Sequence, residues 1–319
     1  MYHQSATRFT RALDRLLWLV ALAAAIPAQA AYNYTIIDYP GATSTQVFGI
    51  NNSGEAVGAA IVGTTQIGFT YNTKKATFTV LPNVPGAAVT NTLGINAAGV
   101  IVGSAGDGSS NNRGIILDKG AFSFFSAPGW AFNEGRAISD NGRFVTGYAA
   151  DSTLSNYVGL IYDTRNNTFI EFLPSLFTIA QGVNGRRQVV GNVQLDPDVA
   201  FPGAPAGGYG FLRQANGEVI LFQVNGAINN RPRGINNSGL ITGFYDDIAT
   251  GAQRGFVARV AASPAYQAVT VPANDLLDVP GATGTVPEGI NDSGRISGIW
   301  FDAAGNNHGF FATLVPATK

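Results

Sequence analysis

The run Gly49-Ile50-Asn51-Asn52-Ser53-Gly54-Glu55-Ala56-Val57-Gly58 comes back five more times along the chain. A period of about 40–50 residues restricts a sequence to a propeller or a solenoid. Clear copies begin at Gly94, Gly234 and Gly289. Two copies are worn: Ala137 to Gly147 carries one extra residue, and Gly182 to Gly191 has Arg187 in place of the turn glycine. The six starts lie 45, 43, 45, 52 and 55 residues apart.

Two further landmarks recur in fixed order. One is a glycine opening a short apolar run, as in Gly68-Phe69-Thr70-Tyr71, Gly159-Leu160-Ile161-Tyr162 and Gly255-Phe256-Val257. The other is Pro-Gly-Ala or a relic of it, at Pro40, Pro85, Pro128, Asn225 and Pro280, with Pro174-Ser175-Leu176 the most eroded. Each unit therefore reads as four strands. The first ends in Gly-Ile-Asn, and Asn-Asn-Ser-Gly supplies a tight turn, because Asn and Gly tolerate positive φ. The second is the Ile-Val-Gly run, the third the Gly-Phe run, and the fourth an apolar stretch such as Phe78 to Leu81 or Val219 to Phe222.

Four short strands per unit match a propeller blade. Tyr34 to Asp38 precedes the first Pro-Gly-Ala and reads as a fourth strand lacking its own first three, while the last unit has no fourth strand after Phe311. The expected fold is all-β: a six-bladed β-propeller, four strands per blade, with the N-terminal strand closing the last blade. Residues 31–319 form one such domain.

Residues 1–30 read as a signal peptide. Arg8, Arg11 and Arg15 form a basic start, Leu16 to Ile26 is uninterrupted apolar, and Ala28-Gln29-Ala30 is a small-x-small cleavage pattern. Eleven apolar residues fall short of the roughly 20 that a membrane span needs. The mature chain is expected to be secreted, extracellular or periplasmic, monomeric, and not inserted in a membrane. Without residues 1–30 the chain has 16 basic and 19 acidic side chains, a net charge of −3. That balance gives no electrostatic reason to bind nucleic acid or anionic lipid. The chain has no cysteine, so disulfides, thiolate metal sites and cysteine nucleophiles are excluded.

The Gly-Ile-Asn-Asn-Ser-Gly-x-Ile-Val-Gly run, the step His308-Gly309-Phe310 and the following Pro-Gly-Ala together resemble the bacterial extracellular HAF-type repeats, over about residues 36 to 313. The resemblance implies a secreted repeat protein and carries no assigned chemistry. Only His308 keeps the histidine of that step; Ile67, Arg113, Val158, Tyr209 and Arg254 stand at the other five places.

Loops on a rigid scaffold carry most sites, so the face bearing the long connections is the expected functional face. Its longest loop, Asn192 to Gly208 with Asp196 and Asp198, reads as an insertion. Trp130 takes the alanine position of a Pro-Gly-Ala turn and Trp300 extends a second strand, which maps both to that face near Tyr209 and Tyr245. Aromatic faces stack on sugar rings. Glu134 and Glu288, placed just ahead of first strands, and Arg233 at the matching place in its own repeat, are expected at the channel mouth. Two carboxylates in one pocket are the apparatus of a glycoside hydrolase. His308, the single histidine after residue 30, is a candidate general base, but no Gly-x-Ser-x-Gly elbow accompanies it. The acids at Asp107, Asp246-Asp247 and Asp302 lack the order of known calcium loops, so no metal and no cofactor is expected.

The expected function is a non-catalytic propeller that binds a glycan or a surface protein, with Trp130, Trp300, Tyr209, Tyr245, Arg233 and Arg254 as its binding residues. The alternatives are a carbohydrate-active hydrolase or lyase using Glu134, Glu288 or His308, and a structural envelope protein. The Trp, Glu, Arg and His positions are each used once or twice, which points to a single site and away from a multivalent lectin.

Overall fold

The computed structural model describes residues 32–108, 111–175, 177–195, 207–225, 227, 229–272 and 275–315. The expected signal peptide, and Asp196 and Asp198 of the insertion, lie outside the described residues. Every numbered element is a β-strand. A single strand, β1 (Tyr32–Ile37), comes first. The first repeat follows as β2 (Ser44–Ile50), β3 (Glu55–Val62), β4 (Thr65–Asn72) and β5 (Thr77–Val80). The second is β6 (Val89–Ile95), β7 (Ile101–Gly106), β8 (Asn112–Asp118) and β9 (Ala121–Phe125). The third is β10 (Phe132–Ile138), β11 (Phe144–Ala150), β12 (Tyr157–Asp163) and β13 (Thr168–Ser175). The fourth is β14 (Phe177–Val183), β15 (Val189–Leu195), β16 (Gly207–Arg213) and β17 (Val219–Val224). The fifth is β18 (Asn230–Ile235), β19 (Ile241–Asp246), β20 (Gln253–Ala258), β21 (Tyr266–Val269) and the two-residue β22 (Leu276–Leu277). The sixth is β23 (Gly284–Ile290), β24 (Ile296–Phe301) and β25 (Asn307–Leu314).

Apart from β21, strands pair antiparallel in sequence order within each unit, and β1 pairs antiparallel with β25, Ile37 opposite Gly309. Ile37 is buried beside Val47, Phe69 and Phe311, and Tyr34 meets the Phe310 ring edge at 5.9 Å. The described strands form five sheets, not six. A single parallel bridge, Phe132 to Asn112, fuses the second and third units into one eight-stranded sheet. The fourth unit borrows β21 as a fifth, parallel strand, so the fifth unit closes on β22 alone.

The closing glycine of each repeat has a cause that the turn does not explain. Every first strand carries a β-bulge, and the bulged residue is Phe48, Leu93, Arg136, Gln181, Arg233 or Glu288. The extra residue bends the strand and drives a carbonyl toward the second strand. At Gly103 and Gly147 a Cβ would sit 1.8 Å from the Asn91 and Glu134 carbonyl oxygens. The opening glycine is fixed by the next unit instead: a Cβ on Gly94 or Gly182 would lie 2.7 Å from the carbonyl of Arg136 or Arg233.

The repeated asparagine also differs from expectation. Positive φ falls on the turn's last residue, Gly54, Gly99, Gly142, Arg187, Gly239 and Gly294, not on the asparagines. Asn51 instead accepts from the Ser53 and Glu55 amides through Oδ1, at 3.0 and 2.9 Å, while its Nδ2 donates to the Asn96 carbonyl at 3.0 Å. Asn184 donates likewise to Asn236, Asn236 to Asn291, and Asn291 to Asn51, each at 3.1 Å. One side chain satisfies its own hairpin and stitches the next unit. The third unit has Ser139 there, whose Oγ accepts from the Phe144 amide at 3.0 Å.

The Pro-Gly-Ala step forms a turn with Gly41, Gly86, Gly129 and Gly281 at positive φ, as a type II turn requires. A side chain six residues on latches it: Thr45, Thr90, Asn133, Asn230 and Thr285 each accept from the amide opening the turn.

Candidate functional site

Because each bulge turns one residue out of the pairing, the first strands present six side chains to a common space: Phe48, Leu93, Arg136, Gln181, Arg233 and Glu288. All six line one open-mouthed cavity of about 100 Å3. Four residues further along, in the hairpin turns that follow these strands, Asn52, Asp140, Asn237 and Asp292 line its other end. The cavity thus lies toward the tight turns and not on the long-loop face expected from the sequence. Glu134 and Glu288 stand within β10 and β23, not ahead of them.

The bulge positions make an asymmetric wall. In repeat order they run Phe, Leu, Arg, Gln, Arg, Glu, so one side is apolar and the other polar. Arg136 is committed: its Nε lies 2.7 Å from Glu134 Oε1, although the N–H is not aligned for a hydrogen bond. The other Glu134 oxygen accepts from Ser104 Oγ at 2.9 Å, and the Arg136 guanidinium also stands 5.8 Å from the Tyr148 ring. Burial alone lowers the guanidinium's affinity for its proton, but Glu134 and Tyr148 outweigh that and hold it raised.

Arg233 and Glu288 are held less firmly. Their closest approach is 3.6 Å, from Nε to Oε1, and the buried Arg233 Nε has no hydrogen-bond partner among the described residues. The Phe244 ring supports the guanidinium at 5.3 Å. Burial pushes the Glu288 carboxyl above its ordinary range, opposed in part by Arg233 and Arg136. Burial lowers Arg233, with Glu288 opposing and the charge of Arg136 adding to the shift. A polar pair that deep is costly unless something completes its hydrogen bonds.

At the turn end the four side chains bond one another across the cavity. Asn52 Nδ2 reaches Asp292 at 2.9 Å and Asp140 at 3.0 Å, and Asn237 Nδ2 reaches Asp292 at 2.8 Å. Burial and the facing Asp292 raise the Asp140 carboxyl, and the two amides pull it back. Ala97 and Gly185 occupy the equivalent turn positions beside Asp140.

The aromatic candidates are not brought together. Trp130 packs with Phe125, Val145 and Leu160 of the second and third units, and its Nε1 donates to Glu171 at 3.1 Å. Trp300 packs in the sixth unit and stacks on His308 at 4.6 Å and 21°. Tyr209 is 1% exposed and meets Tyr266 edge-on at 5.7 Å. Tyr245 is a buried cross-strand partner of Arg254, and its hydroxyl accepts from Asn225 at 3.2 Å. Arg254 donates to Asp278 at 2.8 Å. His308 lies on β25, where its Nδ1 is 2.9 Å from Asp38 and its Nε2 is 3.4 Å from Asp302. Among the described residues no group of three or more His, Cys, Asp or Glu is placed to hold a metal.

Sequence reasoning found Arg233 and Glu288 but missed Phe48, Leu93, Arg136 and Gln181. The available signal was their shared offset, one residue before each Gly-Ile-Asn glycine or its equivalent.

No family model matches the chain, and no curated protein does. Among solved structures it is similar to the β-propeller domain of the Trilobed protease from Pyrococcus furiosus, described as having an open velcro topology. That match has a TM-score of 0.50 at 10% identity and covers 85% of each chain. It is similar also to TolB from Acinetobacter baumannii, with a TM-score of 0.52 at 9% identity, over 86% of this chain and 64% of that one. A luciferin-regenerating enzyme matches with a TM-score of 0.51 at 9% identity, over 90% and 96%. At these identities the likeness gives the fold alone: a β-propeller.

Proposed function

We propose that the chain is an exported, non-catalytic, six-bladed propeller of the HAF-repeat kind that binds a small ligand in its axial cavity. The blade count is supported by the six bulged first strands. Closure is supported by two contacts that join the ends, the β1–β25 pairing and the Asn291–Asn51 hydrogen bond. The observation that carries the binding reading is the bulge wall, where six unrelated side chains from six repeats meet around one cavity while Arg233 Nε has no hydrogen-bond partner among the described residues. A concave wall with a few convergent polar groups is the usual form of a small-molecule site.

A non-catalytic reading is supported by the partners of the two glutamates. Each has an arginine beside it, so neither carboxylate stands free of a partner in the protein. The tryptophans pack in separate units, so a cavity ligand accounts for the polar groups better than a glycan stacked on Trp130 and Trp300.

The test is a thermal-shift panel on purified residues 31–319 with oligosaccharides, amino acids, organic acids and nucleosides, assaying product release in parallel. Gln181→Trp, with Leu93→Phe as a second variant, fills the cavity. The expected result is stabilisation by one class that disappears in the filled variants. Stabilisation that survives filling but is lost in Trp130→Ala or Trp300→Ala moves the site to the loop face. Released product favours the hydrolase reading, with Glu288 as the acid.

A further inference from the structure

The wall asks for a particular kind of molecule. Arg136 and Glu134 neutralise each other, and Ser104 adds a donor to that pair. Arg233 and Glu288 leave a cation and an anion side by side, 3.6 Å apart at closest. A simple anion would answer Arg233 and leave Glu288 beside a second negative charge. A simple cation would do the reverse at Arg233. A ligand with a carboxylate and an ammonium on the same carbon answers both, because its two charges are separated by about one hydrogen-bond length. On the other side of the wall Phe48 and Leu93 offer apolar surface, and a polar substituent lodged there would lose hydrogen bonds to water without recovering them.

We propose that the cavity binds an α-amino acid with an apolar side chain. Arg233 takes the carboxylate, Glu288 takes the ammonium, and the side chain lies toward Phe48 and Leu93. The inference rests on the axial cavity being the ligand site. A guanidinium is suited to the first role because its fork matches a carboxylate. Discrimination follows from the unpaired groups: a site built around buried polar partners rejects a ligand that leaves one of them unanswered.

The experiment is calorimetric titration of residues 31–319 with leucine, isocaproate, isoamylamine and a neutral oligosaccharide. Isocaproate lacks the ammonium and isoamylamine lacks the carboxylate, so the first comparison needs no variant. Leucine is expected to bind at least about tenfold more tightly than either analogue. Glu288→Gln is expected to abolish the preference over isocaproate, and Arg233→Gln the preference over isoamylamine. The double Arg233→Gln/Glu288→Gln variant, which strands no charge, serves if a single variant does not fold. Equal binding of leucine and either analogue overturns the proposal. Oligosaccharide binding that Gln181→Trp abolishes, with no leucine binding, overturns it while leaving the cavity as the site. If none of the four binds, the cavity reading falls along with it.

Discussion

Asn291 donates its side-chain amide to the backbone carbonyl of Asn51, 240 residues earlier, at 3.1 Å. The same Asn291 caps its own hairpin by accepting from the Arg295 amide at 2.9 Å. The first contact is buried and the second half-buried, where losing a partner costs more than the bond is worth in water. Asn291→Ala is expected to cost about 2–3 kcal/mol in urea unfolding. Asn96 caps its own turn through two amides, without an inter-unit side-chain bond among those described. Asn96→Ala should therefore cost about 1 kcal/mol less than Asn291→Ala. Equal losses would show that only the turn matters.

The Arg136–Glu134 contact predicts a different pattern. Removing one partner leaves a charge with 6% side-chain exposure on Glu134. Arg136→Met should destabilise by about 3–5 kcal/mol, and the double variant Arg136→Met/Glu134→Leu should recover most of that loss. A double-mutant cycle by chemical denaturation gives the answer. Additive losses would mean the pair is not coupled.

His308 should make stability depend on pH in one direction. Burial lowers its proton affinity, but the bonds to Asp38 and Asp302 outweigh this and leave it raised. A raised histidine binds its proton more tightly in the folded state. Its contribution is therefore complete below the ordinary value of about 6.5 and is lost as pH rises through the folded value. Since Asp38 follows β1 directly, the proton strengthens the joint between the two ends. The melting-temperature gap between the natural chain and His308→Gln should be widest near pH 5 and close above neutrality.

Asp140 shifts stability with pH in the same direction, through a penalty on its charged form and not a gain on it. Its carboxyl is raised, first by burial and then by Asp292. Between the ordinary carboxylate value and the raised one the folded state holds more protons, so stability falls as pH rises through that window. Above the window the full penalty applies. Asp140→Asn should then melt higher than the natural chain at neutral pH, with the advantage vanishing at the acid end. A constant difference at all pH values would assign it to packing.

The strand plan was legible because turns and alternation repeat six times, and the fourth-strand role of β1 followed from counting. The site was less legible. A bulge residue obeys no type rule: Phe48, Gln181 and Glu288 share only a position, so no motif marks them. Its trace is indirect, the glycine opposite it, such as Gly147, which looks like ordinary strand punctuation until a carbonyl is seen at its Cβ position. Glu134 and Glu288 were placed outside their strands because Gly-Ile-Asn was read as a strand's end without fixing its start. The role of Asn51 was missed for a related reason: a turn asparagine suggests φ, whereas here the amide reaches another repeat. The extra β21 was invisible, since Tyr266–Val269 pairs with a strand more than forty residues earlier.

One bulge per repeat separates two kinds of inheritance in this chain. The glycines, asparagines and Pro-Gly steps are shared property, and altering one disturbs a neighbouring unit. The bulged positions belong to no ladder, so each can drift alone without breaking a pairing. Apart from the charge couplings Arg136–Glu134 and Arg233–Glu288, this scaffold has six dials facing one chamber, whose lining can change while its strands remain untouched.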